Sequence, residues 1–586
     1  QVIETKDALN NRTTMTVDSR GRTILTTTPL GNQTGYQYDV HGRLTQKTRN
    51  GKVIESYVYD TFGNLTSQTI LGLTTTFVYD AYDQLIKTTE PTGLVTENTL
   101  DALHRLTQVK VNGEINHTYT YDVYDQVISE TDAYGSTTTY TINDDGKIIK
   151  QVSRGVTTQF TYDFNGNKIS ESDSLQNTKT LEYDALNRLI KETINGDAIL
   201  YAYDTFGHVI SVTDRNNNVT TSTYDGEGNV LTVTSNGHTT QSVYNALNQK
   251  ITEKVDNKTI RQTAYDADGR LIKETDGLGG ITQTVYNPAG LVSKTVDPLG
   301  YATEYTYDDH DNLTATKDAK GNTIQRQYNA LNQCIKETSK IGGITAYEYD
   351  IFGNVKKTTY PDGGIETVTY NALNQKVSET MTNGSVWKYS YNAYNQLLKT
   401  WQDDKLVAEN VYDVIGNKTE AYDALRHKTS WQYDKTGRVI QQKNALNQTR
   451  TYTYDPEDRI LSMTDEAGIK TVYTYDAAGN KLSEKVNNAK TTTWTYDAFN
   501  QILSETDPVG NTTRYEYDLN QQLVKITDAL NHVSTVEYNA AGYETARTDA
   551  NGQRYEKVYD SVYNLIQEKD PLNHRVTYTY DAAGNM

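Results

Sequence analysis

The stretch Tyr59-Asp60-Thr61-Phe62-Gly63-Asn64-Leu65 decides the fold, because it recurs with drift along the whole chain. With Tyr59 and its equivalents as anchors, the anchor residue falls at 17, 38, 59, 79, 100, 121, 142, 162, 183, 203, 224 and 244. From Tyr265 to Tyr580 it then returns every 21 residues without a slip. Of these 28 anchors, 25 are Tyr, the exceptions being Val17, Leu100 and Ile142, and all 28 are followed by Asp or Asn. A fixed period of this length marks a repeat architecture.

Each repeat reads Y-[DN]-x-x-G-N-L, a short alternating run, a turn signal near position +11, and a second alternating run that leads to the next Tyr. Position +4 holds 15 Gly and 10 Asn or Asp, with only His104, Gln521 and Tyr563 outside that set. Those residue types tolerate positive φ, so +4 is expected to be a left-handed turn residue. The Asp or Asn at +1 accepts backbone N–H groups ahead of it and holds the same bend. The turn near +11 has two lengths. One is D-x-x-G, as in Asp297-Pro298-Leu299-Gly300 and Asp507-Pro508-Val509-Gly510; the other is a two-residue hairpin loop such as Asn50-Gly51 or Asn195-Gly196. Every repeat is therefore two antiparallel strands and two turns.

Faces follow from the strand period of two. Position +6 is usually aliphatic (Leu44, Leu65, Leu189, Leu313, Leu523), and Tyr stands two residues before an anchor 12 times, as in Tyr57 and Tyr59. Thr, Glu, Lys and Gln lie between, which predicts one aromatic and aliphatic face and one wet face. Neighbouring repeats are expected to stack Tyr on Tyr, at roughly 0.2–1 kcal/mol per cross-strand pair. About 56 strands at roughly 4.8 Å spacing would make a flat sheet about 270 Å wide. Sheets rarely pass about ten strands without curling, so a uniform twist should wind this one into a regular spiral or close it into a shell.

Composition excludes several classes. The 586 residues are 35% hydrophobic, and Tyr outnumbers Phe 47 to 7, which leaves little for thick aliphatic cores. A net charge of −19 argues against nucleic acid and against anionic membrane surfaces. The single cysteine, Cys334, precludes an intrachain disulfide or a Cys-rich metal site. No stretch approaches 18 apolar residues, and Gln1-Val2-Ile3-Glu4-Thr5-Lys6 lacks the basic start and apolar run of a signal peptide. A mean hydropathy of −0.72 lies near the disorder boundary, but the regular aromatic spacing argues for order.

The Y-D-x-x-G-[NR]-L motif at 20- or 21-residue spacing resembles the YD (Rhs) repeats of bacterial Rhs polymorphic toxins, of the C component of Tc toxins and of the YD shell of teneurins. The resemblance covers essentially the whole chain. It implies an all-β, continuous antiparallel strand spiral that walls a hollow chamber, which in the bacterial members holds a C-terminal toxin. Family toxins follow the repeats with a D-P-x-G-L type self-cleavage motif and a variable toxic domain, and neither is visible here. Asp297-Pro298-Leu299-Gly300 is followed by Tyr301 and falls at an ordinary +11 turn. Residues 1–586 are thus expected to be one repeat array, a partial segment of a longer shell, without a separate catalytic or toxin domain.

Candidate chemistry dissolves into repeat positions. His41, His104, His208 and His310 lie three to five residues after an anchor, His427, His532 and His574 at +15, and His117 and His238 beside Asn-Gly turns. No metal-ligand spacing joins them. The recurrent Asp residues after the anchors suit turn caps. Asn143-Asp144-Asp145-Gly146 faintly suggests a calcium loop but occupies an anchor turn, and Cys334 at +6 is expected as a buried structural thiol. Gly277-Leu278-Gly279-Gly280 lacks the helix and the Lys of a phosphate loop. Trp431 and Trp494 stand where Tyr precedes an anchor, so they read as ladder packing ahead of a sugar-stacking platform. We expect no catalytic residue, no cofactor and no metal.

The leading functional expectation is a non-enzymatic β-shell that encapsulates or carries a polypeptide. Its expected partners are a toxin or effector cargo and flanking Rhs core segments of the same polypeptide, with a secretion apparatus or a glycan or protein partner beyond; nucleic acid and membrane insertion are not expected. The expected location is secreted or cell-surface, as part of a larger exported protein. The alternative is a surface or matrix stalk that recognises glycans or a partner protein through aromatic faces. An enzyme is the third reading, and where the aromatic face points separates the first two.

Overall fold

The computed structural model describes residues 1–586. All regular structure is β. The 56 strands, from Val2–Lys6 to Arg575–Thr577, belong to one sheet in which consecutive strands pair antiparallel, and no residue is helical. Two strands for each of 28 anchors is the expected number.

The repeat motif makes the ladder in a set way. Tyr59 ends the strand Lys52–Tyr59 and pairs with Leu65, the first residue of the next strand, across a register shift between Val58 and Tyr59. The same bulge recurs at Tyr307 with Leu313 and at Tyr517 with Leu523. A bulge that recurs at the anchors increases the local twist at the same point of each such repeat. In the loop between, the Asp60 N–H donates to the Asn64 carbonyl at 3.0 Å, and the Asp60 carboxylate accepts the N–H groups of Phe62, Gly63 and Asn64. Position +4 is left-handed as expected: φ is 107° at Gly63 and 86° at Gly353. His104, Gln521 and Tyr563 adopt it too, at 64° to 66°, so the loop geometry overrides their side-chain preference.

The turns near +11 also follow the sequence reading. Asn50 and Gly51 both have positive φ, the type I′ signature. In Asp297-Pro298-Leu299-Gly300 the carboxylate caps the N–H groups of Leu299 and Tyr301 at 2.9 Å, so this segment is a turn.

The core is thin. The buried apolar residues are Val17, Leu181, Val255 and Ala546, and no large side chain is wholly buried. The strand Thr512–Tyr517 shows the usual alternation, with Tyr515 and Tyr517 half-buried and Arg514 and Glu516 exposed.

The chain divides into two compact units. One comprises Gln1–Thr75, Ser222–Tyr347 and Thr492–Met586; the other comprises Thr76–Thr221 and Glu348–Thr491. Within each, the strips of sheet meet edge to edge through their turns.

Candidate functional site: clamped repeats and mating turn edges

The recurrent side-chain constellation is Tyr, Asp and Arg, and it binds one repeat to the next. Most anchor hydroxyls donate to the carbonyl of the +6 residue one repeat earlier: Tyr59 to Leu44 at 3.0 Å, Tyr307 to Val292 at 2.9 Å, Tyr517 to Ile502 at 3.0 Å. Where +5 is Arg, its Nε holds the Asp carboxylate of its own turn, and its guanidinium lies over the next anchor ring. Arg43 sits 2.7 Å from Asp39 and 4.6 Å from the centre of Tyr59; Arg459 sits 2.6 Å from Asp455 and 4.9 Å from Tyr475. Its Nη1 donates onward to the carbonyl of the following Asp, Asp60 or Asp476.

This corrects the expectation of a Tyr-on-Tyr ladder. Anchors lie on alternate strands, roughly 9.5 Å apart, too far for ring contact. The guanidinium fills that gap and brings a cation to the ring face. Stacked tyrosines occur elsewhere, as at Tyr543 and Tyr563, 4.2 Å apart.

When +5 is not Arg, its partner changes with it. Asn354 donates to Asp350 at 3.0 Å and reaches Asn374 of the next repeat. Where +1 is Asn, +5 is often Gln, and the direction reverses: Asn329 Nδ2 donates to Gln333 Oε1 at 2.8 Å, and Asn392 to Gln396 at 2.9 Å. Sequence reading identified the cap but missed the +5 partner, although the alternation of D-x-x-x-[RN] with N-x-x-x-Q carried the signal.

Burial alone would raise the carboxyls of these caps, but the donors around them dominate. The N–H and guanidinium of Arg43 bring Asp39 down to about 2. Asp455 is likewise lowered, burial being outweighed by the N–H and guanidinium of Arg459 and by Asn216.

The second constellation joins strips of sheet. In the first unit, Asp268 in an anchor turn accepts from Thr28, Leu30 and Asn32, which lie in a +11 turn 236 to 240 residues earlier. Lys320 pairs with Asp560 at 2.5 Å, and the Tyr563 hydroxyl donates to Asp297, 266 residues back. Gly277 lies against Leu519 so closely that a Cβ would stand 2.7 Å from the leucine Cβ. In the second unit, Arg215 donates to the Pro456 carbonyl at 2.8 Å, Asn216 to Asp455 at 3.1 Å, and Arg154 lies 4.4 Å over Tyr394. The direction does not change: the +11 turns of an earlier strip seat on the anchor turns of a later one.

The residues weighed for chemistry sit in this scheme. His208, at +5, binds Asp204 at 2.8 Å in place of Arg, and His427, His532 and His574 bind Asp423, Asp528 and Asp570 in the +11 turns. His238 binds Asp256, His117 meets Asn116, His104 lies against Tyr82, His310 lies against Gly72, and the His41 N–H is capped by Asp39. Among the described residues no three His, Cys, Asp or Glu side chains converge as a metal site would require. The Asn143 side chain caps the N–H groups of Asp145 and Lys147, so Asn143-Asp144-Asp145-Gly146 forms an anchor turn. Cys334 pairs with Tyr328 across the anchor bulge, as +6 should, but is half-buried because the sheet has no deep core. Lys418 lies 5.0 Å over the Trp431 ring. No helix is long and apolar enough to cross a membrane.

Comparison with known proteins agrees with this architecture. The RHS Repeat family matches residues 17–53, 59–95, 328–365 and, in overlapping copies, 433–554, and the Teneurin YD-shell family matches residues 192–338. A crystal structure of TcdB2-TccC3-TEV superposes with a TM-score of 0.62 at 14% identity, over 99% of this chain and 42% of that one. A Photorhabdus luminescens Tc holotoxin pore gives 0.60 at 14% identity, over 94% and 39%. TcdB2-TccC3 without its hypervariable C-terminal region gives 0.57 at 13% identity, over 98% and 41%. At these identities the likeness is one of fold, and the chain spans about two fifths of the length of these structures. No curated protein matches the chain. With its anchors in register from Val17 to Tyr580, two repeat families matched along it and the fold of the TcdB2-TccC3 structures, this chain belongs to the Rhs/YD-repeat family.

Proposed function

We propose that this chain is a stretch of wall in a longer Rhs/YD-repeat protein, exported from the cell, whose sheet encloses or carries a toxin or other polypeptide supplied by further sequence. The observation that carries this reading is the mating of turn edges 236 to 266 residues apart within each unit, together with side chains that are almost all half-buried or exposed. A one-layer sheet that returns onto its own edge and has no core to fill it bounds a volume. The wet side chains of such a sheet line that volume without a large apolar patch. The repeats act as scaffold, and chemistry belongs to the cargo, since each candidate residue is engaged in its own turn or strand. The array from 1 to 586 functions as one wall segment, and its partners are the cargo and neighbouring repeat segments. Cryo-EM and limited proteolysis of the polypeptide that carries the segment test this. An interior volume with a protease-resistant segment inside supports it; a flat or solid β-stack with a dry centre overturns it in favour of a fibrous stalk.

A further inference from the structure

Four of the tight hairpins near +11 carry the pair Asn-Gly, at Asn50-Gly51, Asn112-Gly113, Asn195-Gly196 and Asn236-Gly237. They share one backbone, with positive φ at both residues, 51° and 89° at Asn112 and Gly113. They differ in what holds the asparagine amide. The Asn50 Oδ1 accepts the Gln33 N–H at 2.7 Å, and its Nδ2 donates at 2.8 Å to the Pro288 carbonyl of the strip it meets. At Asn195 the Oδ1 accepts the Thr178 N–H at 2.9 Å and Nδ2 donates to Asn177 Oδ1 at 3.3 Å. Asn112 bonds through its main-chain N–H, to the Val95 carbonyl at 2.7 Å, and its exposed side-chain amide has no partner.

The ladder behind that hairpin is irregular. Val109 pairs with His117 and Lys110 with Ile115, so Asn116 bulges from the strand. The Asn195 and Asn236 hairpins close without a bulge, and the Asn50 hairpin, which has one, is tied across to Pro288. Glu114, Ile115, Asn116 and His117 line a cavity of about 420 Å³, against Phe352 and Leu373 of the strip that the hairpin faces. Around Gly113 there is open space, since a Cβ there would meet nothing within 4 Å. A tight turn with a bulge behind it and an open volume beside it gives up few contacts when it opens.

We propose that Asn112 is a site of covalent modification by water, at which the side-chain amide is lost through a succinimide. The Gly113 nitrogen gives up its proton and attacks Asn112 Cγ. A C–N bond forms, the Cγ–Nδ2 bond breaks, and ammonia leaves. Water then opens the five-membered ring, at the side-chain carbonyl to give aspartate or at the main-chain carbonyl to give isoaspartate. One water is consumed and one ammonia released, so no oxidant or cofactor is needed. The closed turn fixes the peptide plane between Asn112 and Gly113, and ring closure must rotate it, so the rate follows local opening of the hairpin. Either product places a carboxylate beside Glu114. Isoaspartate also adds a carbon to the main chain of a two-residue turn, which then cannot keep the type I′ geometry.

Peptide mapping by mass spectrometry tests this on the intact protein aged in mildly alkaline buffer, with isoaspartyl methyltransferase labelling to separate the two products. Asn112 should lose its amide at least roughly tenfold faster than Asn50 and Asn195 in the same sample. In urea the three should react at similar rates, because the same Asn-Gly pair is then unconstrained. The peptide that holds residue 112 should contain isoaspartate as well as aspartate. An Asn112 no faster than Asn50 and Asn195, or a spread that survives in urea, would overturn the proposal. Aspartate alone at residue 112 would mark direct hydrolysis and overturn the succinimide route.

Discussion

The hydroxyl of Tyr475 donates to the main-chain carbonyl of Ile460, 2.9 Å away and one repeat earlier. Ile460 pairs with Tyr454 just past a register shift, so the anchor hydroxyl satisfies a carbonyl beside the point where the ladder slips. Tyr475→Phe keeps the ring under Arg459 and removes only this bond, and should cost about 1 kcal/mol. Because a repeat couples chiefly to its neighbours, hydrogen exchange should speed up in the strands Ile460–Thr464 and Lys470–Tyr475 while distant repeats are unchanged. Uniform acceleration along the chain would show that the bond is not local in effect.

Arg459 meets Asp455, Tyr475 and the Asp476 carbonyl at once. A lysine ammonium reaches one of these at a time and lacks the planar fork. Arg459→Lys should therefore lower stability by about 1–2 kcal/mol, in the range of a lost hydrogen bond to a charged group, whereas Arg12→Lys, whose side chain is 61% exposed in its pair with Glu4, should change it little. Equal urea midpoints for the two variants would refute the clamp.

Gly353 holds φ at 86°, where a β-branched side chain is strongly disfavoured. Gly353→Val should cost about 1–3 kcal/mol of backbone strain, and Asn354→Ala clearly less, since it loses only side-chain bonds to Asp350 and Asn374. Matching melting temperatures would count against the turn assignment.

Acid should loosen the array. The folded pKa of Asp39 is about 2, and those of Asp18, Asp60, Asp184 and Asp455 are also lowered, against about 3.9 for an unfolded aspartate. A depressed folded pKa gives stability that is present above the unfolded value and lost as pH falls through the folded one. The melting temperature should thus be flat from about pH 5 to 7 with respect to these groups and fall between about pH 4 and 2. A melting temperature unchanged down to pH 2 would mean that the caps contribute nothing.

The purified chain should show no hydrolase, transferase or redox activity, and EDTA should leave its melting temperature unmoved. The His–Asp pairs at residues 204 and 208, 423 and 427, 528 and 532, and 570 and 574 are single pairs within turns, without a third ligand. A reproducible loss of melting temperature in EDTA would reveal a metal held in another way.

What the sequence determined by itself is everything that closes within one repeat. The anchor at Tyr59, the cap at Asp60, the left-handed Gly63 and the hairpin at Asn50-Gly51 interact across a few residues, so local residue preference specifies them, and 28 repetitions average out exceptions such as Tyr563. Even the absence of a deep core was legible, in a composition rich in Tyr and Thr. Tertiary structure decided the rest. Whether Arg43 or another tyrosine lies over Tyr59 depends on the spacing of alternate strands, which no single repeat encodes. Which turn meets which, Lys320 with Asp560 or Arg154 with Tyr394, depends on small twists summed over many strands before the sheet returns to its own edge. Phe352 and Tyr82 occupy the same position in the same motif; one is covered and the other bare because only one has a strip of sheet above it.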